Sequence, residues 1–274
     1  MSDPRLTPAN DRVAAAHLTG VAAGLSRVAG TPCQVARPVV DLLHTPDRAR
    51  ERQLLWGERV DLYEDRAGTS FVQAQKDGYV GYVDSAALRP PEPVTHWVSA
   101  PACHLYQDAN IKSPDLHLLS FGSLVCVLDE TDRLAETPSG FIPRTHLRPL
   151  GDTMDDPVTV AELFLGTPYL WGGNSRAGID CSGLVQAALL ACGQDCPGDT
   201  DQQQSALGRE AAQDGTCKRG DLLYWRGHVA MVVDADRLIH ANGTHMSVVY
   251  EPIKAAIDRI ERQGQGPVIA HKRL

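Results

Sequence analysis

The chain has 274 residues, enough for one large domain or two to three small ones. Its 43% hydrophobic and 22% charged residues are ordinary for soluble globular protein. A net charge of -8 argues against nucleic-acid and anionic-membrane partners, which select a basic face, and no segment approaches the roughly twenty apolar residues that span a bilayer.

Residues 1–33 read as an N-terminal helical or extended segment. Its apolar stretch, 13–25, is mostly alanine and is broken by His17, Thr19 and Gly20. It lacks the compact apolar region and charged leader of a secretory signal, so a cytoplasmic location is expected. Seven cysteines stand at 33, 103, 126, 181, 192, 196 and 217. Their spacing forms no disulfide framework, and a cytosolic chain keeps thiols reduced. Cys192 and Cys196 lack a second ligand pair at zinc spacing, and His44, His96, His104, His117 and His146 are scattered, so neither metal nor other cofactor is expected.

A weak duplication follows. Gly81-Tyr82-Val83 with Leu88-Arg89-Pro90 is echoed by Gly140-Phe141-Ile142 with Leu147-Arg148-Pro149. The Leu54-Leu55-Trp56-Gly57 run is echoed by Leu119-Ser120-Phe121-Gly122. Short alternating apolar runs punctuated by Gly, Pro and Asp predict two small all-β barrels, at 34–92 and 93–150. Arg89-Pro90-Pro91-Glu92-Pro93 reads as a stiff linker between them.

The rest, 151–274, has a different pattern. Asp156 offers an N-cap oxygen and Pro157 a first-turn residue for a short helix that ends before Pro168. Leu184, Val185, Ala188 and Leu189 recur at helical spacing, with Gly193 as a stop. Alternating apolar strands begin near Leu222, Val229, Leu238 and Ser247, and residues 254–262 read as an amphipathic surface helix. Helices followed by an antiparallel sheet make an α+β domain.

Cys181 falls at that helix start, where unpaired N–H groups and the helix dipole favour a thiolate and can hydrogen-bond an oxyanion. Downstream, Asp234-Ala235-Asp236 predicts a three-residue hairpin loop with Val233 opposite Arg237 and His240 opposite Ala230. That register puts His228 and His240 diagonally on one face, as a base and its orienting group require. Trp171 and Trp225 are expected to serve in packing.

Tyr169-Leu170-Trp171-Gly172-Gly173, Asp180-Cys181-Ser182-Gly183, Arg219-Gly220-Asp221, Gly227-His228-Val229 and Ile239-His240-Ala241 resemble the signature of the NlpC family of papain-like cysteine peptidases. With two SH3-like barrels ahead, the chain resembles the subgroup of γ-D-glutamyl-L-diamino-acid endopeptidases, or dipeptidyl-peptidase VI. The resemblance implies a murein peptide with a free N-terminal L-Ala as substrate, Cys181 as nucleophile, His228 as base, His240 as third member and Tyr169 at the oxyanion. It also implies that Asp180, Ser182, Asp199 and Thr200 bind the substrate amine end, with Glu58 and Tyr79 from the first barrel. Gly198 stands where many relatives have Arg. Two other functions stay open: a non-catalytic wall-peptide binding module, and an amidase or acyltransferase using the same thiol.

Overall fold

A computed structural model describes residues 3–20, 24–211 and 216–274. The chain divides into two compact units, Met1–Leu150 and Gly151–Leu274.

In the first unit the N-terminal segment braces the first barrel. A 3-10 turn at Pro4–Leu6 is followed by strands Val13–Ala15 and Ser26–Val28, which pair in parallel. Among the described residues no α-helix precedes Pro157, so the helical part of the expectation for residues 1–33 is corrected. Tertiary contact overrides alanine's helix propensity here. Val13 and Ala15 pack on Tyr63, Phe71 and Tyr82, and Arg12 makes a forked pair with Glu64 at 2.7 and 2.8 Å.

The first barrel is a seven-stranded sheet running from Arg50–Leu55 at one edge to Leu88–Arg89 at the other. Its strand Thr31–Val35 straddles the boundary expected at residue 33. The second barrel combines a five-stranded and a three-stranded sheet. The duplication is visible locally: a 3-10 turn at Ser85–Ala87 feeds Leu88–Arg89, and one at Arg144–His146 feeds Leu147–Pro149. Gly57 and Gly122 both take positive φ, at 81° and 86°. At Gly57 a side chain would also run into the Leu124 carbonyl, because the Leu124 N–H donates to Trp56 O at 2.8 Å where the barrels meet.

The second unit is α+β. Helix α1 spans Pro157–Glu162, with the Asp156 carboxylate accepting from Val158 N–H at 3.1 Å and Pro157 in the first turn. Helix α2 spans Cys181–Ala191 and is buried nearly all round, as a core helix must be. Helix α3 is Thr200–Ala206 and α4 Ile253–Arg262. The six-stranded antiparallel sheet has the order Arg209–Glu210, Ala270–Arg273, Leu222–Trp225, His228–Val232, Arg237–Asn242, Ser247–Pro252. Leu223, Trp225, Ala230, Val232 and Leu238 form a core with Ala256 and Ile260 of α4, whose Lys254, Asp258, Glu261 and Arg262 face solvent. Among the described residues no helix is long and apolar enough to cross a membrane.

Candidate active site

The turn before α2 is built for close approach. Strands Asn174–Ser175 and Gly178–Ile179 pair as a minimal hairpin, and Gly173 donates from its N–H to Leu170 O at 2.9 Å. A Cβ on Gly173 would lie 2.5 Å from the Gly178 carbonyl oxygen, and one on Gly183 would lie 2.6 Å from that of Gly173. The Gly-Gly and Cys-Ser-Gly motifs therefore have a steric cause: strand turn and helix start touch through backbone.

Asp180 clamps this arrangement. Its Oδ1 accepts from Gly183 N–H at 2.6 Å and from the Ser182 hydroxyl at 3.2 Å, while Oδ2 accepts from Gly172 N–H at 3.0 Å. The Ser182 carbonyl in turn accepts from Gln203 Nε2 at 2.9 Å. Both residues are buried. These bonds cap α2 and dock α3 against it, holding the Asp180 and Ser182 flanks in place around Cys181.

Cys181 opens α2 at the end of a cleft of about 240 Å³, shared with Tyr169, Trp171, His228, Asn242, Thr244, Arg259 and Gln263. Trp171 is 67% exposed on the rim, so it is not the packing residue expected, whereas Trp225 is buried. The hairpin keeps the expected register: Met231 opposes Ile239 and Val232 opposes Leu238. His228 Nε2 lies 2.9 Å from His240 Nδ1. His240 Nε2 lies 3.1 Å from Glu251 Oε2, and Arg259 grips Glu251 with Nε to Oε1 at 3.0 Å and a terminal nitrogen to Oε2 at 2.7 Å. Sequence reasoning missed Glu251 and Arg259. One sits on the next strand and the other on α4, and neither position carries a motif.

The side-chain partner of the thiol is a hydroxyl, not a histidine. Cys181 Sγ lies 3.9 Å from the Thr200 hydroxyl, and His228 lines the same cleft without a direct bond to sulfur. Burial pushes the thiol up to about 11 and the Asp180 charge adds to this; N–H groups of Val229 and Ser182 and the Thr200 hydroxyl only partly offset them. Burial likewise drives His228 down to about 3, reinforced by the charges of His240 and Arg259. Both shifts favour a neutral thiol and a neutral imidazole at rest, so desolvation opposes the thiolate that helix position alone favours.

Tyr169 lines the cleft beside Cys181, its phenol held protonated by burial and then by the nearby Cys181 and Asp180 charges, so it stays a donor. Asp199 caps α3, its backbone N–H donating to Gln202 Oε1 at 3.4 Å in a reciprocal capping box. Thr200 faces the sulfur.

Glu58 and Tyr79 belong to the first unit. Glu58 is buried in the Trp56-Gly57-Glu58 turn, with Oε1 2.7 Å from Lys76 Nζ and Oε2 without a partner. Burial raises its pKa against the opposing pull of Lys76. Tyr79 is buried in the barrel core, after a turn in which its N–H donates to Asp77 Oδ1 at 3.1 Å.

A cysteine at a helix start and a histidine pair on the neighbouring antiparallel sheet define a papain-like α+β hydrolase fold. Residues 166–259 match the NlpC/P60 family and residues 42–88 the bacterial dipeptidyl-peptidase Sh3 domain. The chain thus carries an NlpC/P60 domain behind a bacterial Sh3 domain, in a family of cysteine peptidases and peptidoglycan hydrolases. It is 28% identical over 225 residues to the γ-D-glutamyl-L-lysine dipeptidyl-peptidase of Bacillus subtilis, covering 74% of this chain and 75% of that one. It is 38% identical over 85 residues to dipeptidyl-peptidase 6 of Lysinibacillus sphaericus, 31% of each chain. An NlpC/P60 family protein from Bacillus cereus shares the fold, with a TM-score of 0.74 over 89% of this chain and 99% of the other at 19% identity.

Proposed function

We propose that this chain is a cysteine endopeptidase that hydrolyses the γ-D-glutamyl–diamino-acid bond of murein peptides with a free N-terminal L-Ala. The observation that carries the chemistry is one cleft holding a helix-start cysteine and a histidine whose Nε2 is 2.9 Å from a second histidine. The substrate is supported by the relation to the Bacillus subtilis dipeptidyl-peptidase. Seven free thiols suit a reducing compartment, which favours a cytosolic role on released wall peptides.

The reaction runs from a neutral pair. Sulfur attacks the γ-glutamyl carbonyl carbon as the thiol proton passes to His228, and the carbonyl electrons move onto oxygen. The Cys181 N–H, which has no acceptor within the helix at that position, and the Tyr169 hydroxyl receive the oxyanion. Such a donor is worth about 3 kcal/mol. Collapse breaks the C–N bond, and His228 returns its proton to the leaving amine. Water then attacks the thioester, giving its proton to His228, and the thiol is released with the free γ-carboxylate.

Mass spectrometry of products from L-Ala-γ-D-Glu-diaminopimelate tests this. Cleavage at the γ-glutamyl bond, lost in Cys181→Ala and weak on the N-acetylated peptide, is the expected result. Full turnover by Cys181→Ala ends the nucleophile assignment, and equal cleavage of both peptides ends the free-amine requirement.

A further inference from the structure

The mechanism needs a bare ring nitrogen on His228, and nothing in Cys181 or His228 alone decides which nitrogen carries the proton. We propose that Glu251 and Arg259 are positioning residues that set the tautomers of both histidines, so that the free lone pair of His228 is on Nδ1. This rests on the peptidase assignment above.

The argument starts from the far end. Arg259 is a permanent cation and donates two parallel bonds to Glu251, at 3.0 and 2.7 Å. Its remaining nitrogen is fixed by Thr244 Oγ1 and Gln263 Oε1, both at 3.0 Å. Burial pushes the Glu251 carboxyl up, but the bonds from His240 and Arg259 outweigh it and hold the group at about 2. An ionised carboxylate only accepts. The 3.1 Å contact therefore requires the proton on His240 Nε2.

His240 is wholly buried, and burial lowers its pKa, so it is neutral with Nδ1 bare. The 2.9 Å contact then requires His228 to donate from Nε2. Burial keeps His228 neutral too, which leaves Nδ1 as its one lone pair, on a ring that lines the cleft with Cys181. An acceptor-only group two residues away in the relay thus fixes the base. When His228 takes the thiol proton, the Glu251 charge also faces the new imidazolium through His240.

Glu251→Gln is the discriminating change. It keeps the shape but can donate to His240 Nε2. That moves the His240 proton to Nδ1, makes His228 Nε2 an acceptor and blocks His228 Nδ1 with a proton. Long-range ¹H–¹⁵N NMR of the histidine-labelled full chain near pH 7.5 reads the tautomers directly. The wild type is expected to carry Nε2–H on both rings, and Glu251→Gln to show Nδ1–H on His228. The same variant should lose on the order of 10²-fold or more in kcat, the usual share of a general base, with KM little changed. Glu251→Asp, still acceptor-only, should keep the wild-type tautomers and recover part of kcat, which a purely structural role does not predict. Nδ1–H on His228 in the wild type overturns the proposal whether or not the variant folds. So does a folded Glu251→Gln with wild-type tautomers and kcat. Activity retained by Cys181→Ala would instead strike the peptidase assignment, leaving the ring measurement untouched.

Discussion

The sulfur of Cys181 has the hydroxyl of Thr200 as its hydrogen-bond partner, at 3.9 Å, so the first residue of α3 reaches the first residue of α2. Gln203 holds the two helices in this relation, donating to both Ser182 O at 2.9 Å and Pro197 O at 3.0 Å. The hydroxyl offsets part of the burial that disfavours the thiolate. Thr200→Val keeps shape and removes that bond. A loss of roughly 0.5–1.5 kcal/mol in stabilising the sulfur anion is expected, a several-fold fall in kcat, with Thr200→Ser near wild type. Steady-state kinetics of the pair decide it; equal kcat for Val and Ser variants would remove Thr200 from the reaction.

The thiol itself makes a second prediction. With Cys181 pushed up to about 11 and His228 down to about 3, neither is charged at neutral pH. Alkylation by iodoacetamide should be slow at pH 6 and climb steadily through pH 9, since the thiolate is the nucleophile. A preformed thiolate–imidazolium pair would give instead a plateau from mildly acidic pH upward. The labelling rate against pH, followed by peptide mapping at Cys181, separates the two profiles.

The glycine that follows the nucleophile by two has no room for a side chain. A methyl group on Gly183 would meet the Gly173 carbonyl oxygen at 2.6 Å and Asp180 Oδ1 at 2.9 Å. The backbone oxygen cannot rotate away. Gly183→Ala should therefore cost about 1–3 kcal/mol of unfolding free energy and displace the Asp180 cap, with activity falling further than stability. Urea unfolding alongside kcat measures both, and an unperturbed variant would mean the turn at Gly173 yields freely.

How much of this was legible beforehand follows from where each contact lies along the chain. The hairpin between His228 and His240 was readable because its register depends on a short local loop, Asp234-Ala235-Asp236. The start of α2 was readable from the glycines and the apolar spacing after Cys181. Glu251 and Arg259 were not, because their roles arise only when a third strand and a helix fold over the histidine pair. The burial that opposes a thiolate was not legible for a related reason. Helix position is written in sequence, but the desolvation that opposes it comes from packing. Likewise the capping bonds of Asp180 arise only when Gly172 and Gly183 come together in the fold, and Trp171, expected to pack, stands exposed.

Two neutral histidines buried side by side also set how the fold answers acid. Burial lowers both, His228 to about 3, with His240, Arg259 and Glu251 as the charges facing it and His245 near His240. Their unfolded value is about 6.5. Between those limits the unfolded chain binds more protons, so the stability these rings contribute is fully present above pH 6.5 and is lost as pH falls toward 3. For His228 alone the slope is about 1.4 kcal/mol per pH unit. Most carboxylates titrate lower. Asp221 and Glu251 are both buried, yet their Arg273, His271, His240 and Arg259 bonds outweigh burial and hold them at about 2, so their loss begins only below the unfolded carboxylate range near pH 4. Glu58, raised by burial, works in the opposite sense, but it is common to the wild type and a His228 variant, so the difference between them from pH 6.5 to 5 isolates His228. Denaturant unfolding across that interval should show stability dropping by roughly 1–3 kcal/mol per unit in the wild type and clearly less in His228→Asn. Parallel slopes for the two proteins would mean that His228 takes up its proton in the folded state at an ordinary pH, and with it the neutral resting pair would fall.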